Sequence, residues 1–101
     1  MPESFVRAIE DYLAAQRDHQ TRFLAELVKV PSDNPPGDCA PHAKRAAELL
    51  EGLGFTVERH PVPAAVVRAN GMLSATNLVG RERFGPGPTI ALNAHGDVVS
   101  P

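Results

Sequence analysis

His95 and Asp97, separated only by Gly96, close an apolar run that begins at Thr89 and continues through Ile90, Ala91, Leu92, Asn93 and Ala94. A neutral imidazole is a common ligand for zinc, and a metal-bound histidine usually gives its other ring proton to a carboxylate or carbonyl. In an extended backbone, residues two apart point to one side, so His95 and Asp97 would face a common space. Gly96 places no side chain between them and lets the chain bend off the strand end. Ligands of α/β folds commonly bind beyond the carboxyl ends of strands, which is where this triplet would lie. His95 is therefore the candidate metal ligand and Asp97 the candidate catalytic carboxylate that orients it. The plainer alternative has His95 satisfied by hydrogen bonds at a strand end and Asp97 capping a turn.

These groups must be positioned by a chain of 101 residues, long enough for one small domain and too short for two. Hydrophobic residues make up 43% and charged residues 22%, a balance that suits a globular fold and argues against a disordered tail. A net charge of -2 without a dense Lys/Arg cluster argues against a nucleic-acid partner. No apolar stretch is long enough to cross a bilayer, and Met1-Pro2-Glu3-Ser4 does not open a basic region followed by an apolar core. A cytoplasmic protein without a membrane role is expected. Cys39 is the only cysteine, which rules out an internal disulfide and a cysteine-rich zinc module; it reads as a semi-buried structural thiol.

From Glu3 to about Lys29, Phe5, Ile9, Tyr12, Leu13, Phe23, Leu24, Leu27 and Val28 recur mostly at spacings of three and four. This predicts helix with its apolar stripe in the core, either as two segments jointed in polar Gln16–Thr21 or as one long helix. Pro31 ends it, and Val30 to Asp38, rich in proline and turn formers, is a rigid loop that either joins elements or positions something; its composition alone reads as a connector. A second helical stretch is expected over Cys39–Leu53, with Asp38 as N-cap, Pro41 in the first turn and Gly54 as the stop. Phe55–His60 reads as a strand, with His60 on its surface, and Ala75–Gly80 as another continuing into Arg81–Arg83. Ala64–Leu73 is ambiguous, and Asn70-Gly71 signals a turn. Phe84–Pro88 is a loop into the strand Thr89–Ala94. The expected fold class is α/β: two helical segments, then about three strands of a mixed sheet. It is incomplete as an architecture, since a sheet edge or face stays open.

Several stretches, taken in this order, carry a resemblance. They are Leu27-Val28-Lys29-Val30-Pro31-Ser32 leading to Asn34-Pro35-Pro36-Gly37, then Leu53 to Glu58, Asn77-Leu78-Val79-Gly80, and Leu92-Asn93-Ala94-His95-Gly96-Asp97-Val98-Val99. Together they resemble the N-terminal part of the zinc-dependent amidohydrolases and exopeptidases that include acetylornithine deacetylase, succinyl-diaminopimelate desuccinylase, aminoacylase and carboxypeptidase G. The resemblance covers nearly the whole chain. Ser100 departs from it, standing where the family often has proline.

The resemblance implies that residues 1–101 are the N-terminal portion of a catalytic metallohydrolase domain, without the inserted dimerisation or lid domain. It implies two Zn2+ ions, with Co2+ as a possible substitute, and makes His95 a ligand of one ion and Asp97 the residue that orients it. It implies a bridging water activated between the metals, attack on the amide of an N-acyl amino acid or small peptide, and a homodimeric full-length protein. The general base and remaining ligands would lie beyond Pro101, so the fragment alone is expected to be inactive. The alternative is a short non-catalytic interaction module derived from such an enzyme. A serine hydrolase has little support, because Ser32, Ser74 and Ser100 lack a glycine-flanked nucleophile turn.

Overall fold

In a computed structural model, which describes residues 2–101, the order of elements is α1 (Glu3–Ala15), α2 (Arg17–Val28), α3 (Ala40–Gly52), β1 (Val57–Pro61), α4 (Ala64–Ala69) and β2 (Thr76–Gly80). Among the described residues this is a small α/β protein with four helices and a two-stranded antiparallel sheet. The polar stretch after Ala15 resolves into a joint: Gln16, at φ -94° and ψ 3°, closes α1 and opens α2. Among the described residues, no helix is long and apolar enough to cross a membrane.

α3 is the element around which the others gather, packing against α2, β1 and β2. Its inward side is built from Ala43 and Ala47, small residues that let the neighbouring elements approach closely. Arg45 reaches from α3 to Glu26 on α2 at 3.2 Å. Lys29 and Arg45 together hold the Glu26 carboxyl below its usual range. Gly54, at φ +99°, ends α3 in the left-handed conformation that glycine adopts without steric cost.

β1 and β2 pair with Val57 opposite Gly80 and Pro61 opposite Thr76. The ambiguous stretch between them forms the short helix α4, which buries Val67 and ends in a turn at Gly71, at φ +77°. Pro63 immediately precedes α4, and its fixed φ suits a helix start.

Three expectations are corrected. First, Thr89–Ala94 is not a strand. Ile90 and Leu92 are exposed, and β2 ends at Gly80 without running into Arg81–Arg83. The sheet is an antiparallel pair, not a mixed sheet of three strands. A strand needs a neighbour for its amides and carbonyls, which an apolar run alone does not supply. Second, the apolar stripe of α1 does not enter the core: Phe5, Ile9, Tyr12 and Leu13 are exposed. Among the described residues α1 packs against α2 alone, so no layer covers that face. Third, Asp38 does not cap α3. The cap position is Cys39, and the hydroxyl of distant Ser74 accepts the Ala40 amide at 2.9 Å while donating to Asp38 Oδ1 at 2.6 Å.

The radius of gyration is 16.7 Å. A compact domain of this length has roughly 13 Å; the difference matches the elongated shape, 51 × 33 × 22 Å along its principal axes.

Candidate functional site

The loop between α2 and α3 binds segments from two distant parts of the chain. On one side, the carbonyl of Gly37 accepts the amides of Leu73 and Ser74, and the Cys39 amide donates to the Ser74 carbonyl. On the other, Val98 N–H donates to the Ser32 carbonyl at 3.0 Å and Asn34 N–H donates to the Val98 carbonyl at 2.7 Å. Ser32, buried, donates its hydroxyl to the Gly96 carbonyl at 2.7 Å. Ser100 donates its hydroxyl to the Pro35 carbonyl at 2.9 Å. The stretch that reads as a connector is thus the cradle of the His95–Asp97 turn. Its peptide bonds Asn34–Pro35 and Pro35–Pro36 are both cis.

Within the cradle, His95 and Asp97 meet as their spacing predicts. His95 Nδ1 lies 3.0 Å from Asp97 Oδ1 and 3.0 Å from the Asp97 carbonyl oxygen. Both neighbours are acceptors, so the hydrogen-bond pattern assigns a proton to Nδ1, which in a neutral ring leaves the Nε2 lone pair free. The His95 side chain is 86% exposed, which leaves Nε2 open to a ligand. The other Asp97 oxygen, Oδ2, accepts from Asn34 Nδ2 at 3.2 Å. Asn34 donation, and after it the His95 hydrogen bond and charge, hold the Asp97 carboxyl below its usual range. Asp97 is accordingly an acceptor-only carboxylate at neutral pH.

A backbone that must pass close to its neighbour explains the glycine between them. A Cβ on Gly96 would stand 3.0 Å from His42 Cε1 and 3.1 Å from His42 Nδ1. The His42 ring, from the first turn of α3, therefore closes the cradle on the Gly96 side. Its role is missed by the sequence reading, which treats Cys39–Leu53 only as a helix.

Cys39 belongs to the same region but not to the chemistry. Its thiol lies 3.7 Å from the Ser32 carbonyl. Burial first, then the charges of Asp97, Asp38 and Asp33, push its pKa up. A thiol kept protonated in this way is a poor nucleophile and a poor metal ligand. His60 lies on the exposed end of β1 with its Nε2 3.3 Å from Glu58, as its surface reading predicts.

The donor set fits a metal through one histidine. An imidazole with Nδ1–H bound to a carboxylate and Nε2 free is the arrangement that metal-ligating histidines show. Among the described residues, no three His, Cys, Asp or Glu side chains are grouped to hold an ion. His95 thus offers one donor nitrogen with a carboxylate beside it, where a catalytic zinc takes about three protein ligands. Compared with known proteins, the sequence matches no family model, no curated protein and no solved structure.

Proposed function

We infer that this chain is the N-terminal portion of the catalytic domain of a metal-dependent amide hydrolase, related to the zinc amidohydrolases and exopeptidases it resembles. The observation that carries this reading is His95, with Nδ1 held by Asp97 and Nε2 exposed. His95 binds the metal through Nε2, and Asp97 keeps the ring in the tautomer and orientation that make this possible. Ser32 and Asn34 fix the turn that carries both. A metal bound there, with the ligands that complete it, would polarise an amide carbonyl and lower the pKa of its water. The substrate class is an N-acyl amino acid or a small peptide. Two zinc ions, the general base and a homodimeric assembly belong to the same proposal and draw on residues outside these 101.

The test is hydrolysis of N-acyl amino acids by the protein with its full ligand set. Activity is expected to be lost on chelation, restored by Zn2+ or Co2+, and reduced to background by His95→Ala. Undiminished hydrolysis by the His95→Ala protein would end this reading.

A second reading, a non-catalytic interaction module, is favoured by the exposure of Ile90, Leu92 and the α1 stripe. It expects the 101-residue chain to form a stable oligomer without metal.

A further inference from the structure

Resting on the metal-ligand reading of His95, we propose that Asn34 is a positioning residue that decides, through Asp97, which nitrogen of His95 carries the proton. His95, Asp97 and Asn34 form a directed chain. The Asn34 amide donates to Asp97 Oδ2, and Asp97 Oδ1 accepts from His95 Nδ1. Asn34 must present its nitrogen, since its carbonyl oxygen against an ionised carboxylate would set acceptor against acceptor. With Oδ2 bound by Asn34, rotating the carboxylate would break that hydrogen bond, which favours Oδ1 staying aimed at the ring.

The direction matters because His95 is otherwise weakly held. Its side chain is 86% exposed, and its ring is held by two oxygens of Asp97. Asp97 is more sheltered, at 38%, and is tied to the half-buried loop by Asn34. Order therefore passes from the loop after α2 outward to the imidazole. Asn34 is itself fixed by its main chain, with N–H donated to the Val98 carbonyl, and by Gly37, whose missing side chain leaves room for Asn34 Oδ1. Ser32 fixes the Gly96 carbonyl, which sets the turn's backbone but does not touch either carboxylate oxygen. The two loop residues thus divide the work: Ser32 holds the main chain, and Asn34 selects the tautomer.

The test is nitrogen NMR of the metal-free 101-residue chain, labelled with 15N and held at a pH of about 8, above the usual imidazole range. Long-range proton–nitrogen correlations of each histidine ring identify the protonated nitrogen. The unaltered chain is expected to show His95 predominantly as the Nδ1–H form. Asn34→Ala is expected to lower that form measurably, with the Asp97 main-chain carbonyl retaining part of it, and Ser100→Ala, which frees the same loop at Pro35, to leave it unchanged. Asn34→Asp keeps the side chain's shape but loses the donor, and it should shift His95 as Asn34→Ala does. It decides the matter if the alanine variant fails to fold. Retention of the Nδ1–H form undiminished in a folded Asn34→Asp chain would overturn the proposal, as would an unaltered chain with the His95 proton on Nε2. No metal enters this measurement. A tautomer that follows Asn34 in a chain that binds no metal would sustain the positioning role and remove the metal-ligand reading alone.

Discussion

Gly37→Ala is expected to destabilise the chain by about 2–5 kcal/mol, read as a lower urea midpoint at unchanged slope. Two costs combine at this buried position. Gly37 has φ +74°. A Cβ in that conformation crowds the following carbonyl, at a cost of about 1–2 kcal/mol. The new methyl would also stand 2.9 Å from Met72 Cγ and 3.0 Å from both Met72 Cβ and Asn34 Oδ1. Overpacking of this kind costs about 1–3 kcal/mol. Gly71 separates the two contributions. At φ +77° it shares the backbone conformation, but nothing lies within 4 Å of its would-be Cβ. Gly71→Ala should therefore show only the first cost. Equal destabilisation by the two variants would mean that Met72 and Asn34 do not confine Gly37. Because Asn34 is displaced as well, Gly37→Ala should also loosen Asp97, coupling the loop's packing to the candidate site.

Gly96→Ala is expected to cost about 1–3 kcal/mol for a different reason. Gly96 is not among the glycines with positive φ, so the cost arises from the 3.0 Å approach to the His42 ring. His42 is half-buried in the first turn of α3 and must give way by a few tenths of an ångström or push the turn outward. Outward movement would stretch the Ser32–Gly96 and Asn34–Asp97 hydrogen bonds together. In a double-mutant cycle with His42→Ala, the Gly96→Ala cost should shrink, with a coupling of about 0.5–3 kcal/mol between the two sites. Additive effects would show that the His42 ring is not what excludes a side chain at Gly96.

Local signals in the sequence identify much of what the structure contains. Helical spacing locates α1, α2 and α3, and glycine marks the ends at Gly54 and Gly71, because each of these depends on residues a few positions apart. The His95–Asp97 pair is legible for the same reason: two residues of spacing suffice to bring their side chains together. Long-range pairing is not legible. Asn34 meets Asp97 across 63 positions, Ser32 meets Gly96 across 64, and Ser74 serves the start of α3 from 34 positions downstream. Nothing in the composition of the proline-rich loop distinguishes a cradle from a connector. Thr89–Ala94 fails in the opposite sense, since its residues suit a strand but a strand exists only where another supplies its edge. The exposed stripe of α1 shows the same limit: periodicity names the apolar face and leaves open what covers it.

The proposed function requires the His95–Asp97 turn to present an imidazole nitrogen to a metal. The most direct measurement is a Co2+ titration of the 101-residue chain followed by the ring resonances of His19, His42, His60 and His95. His95 is expected to broaden first, Asp97→Ala to weaken this response by about 10–100-fold, and His95→Ala to remove it. Broadening of exposed His19 or His60 at the same cobalt concentration as His95, with no effect of Asp97→Ala, would contradict the metal-ligand reading.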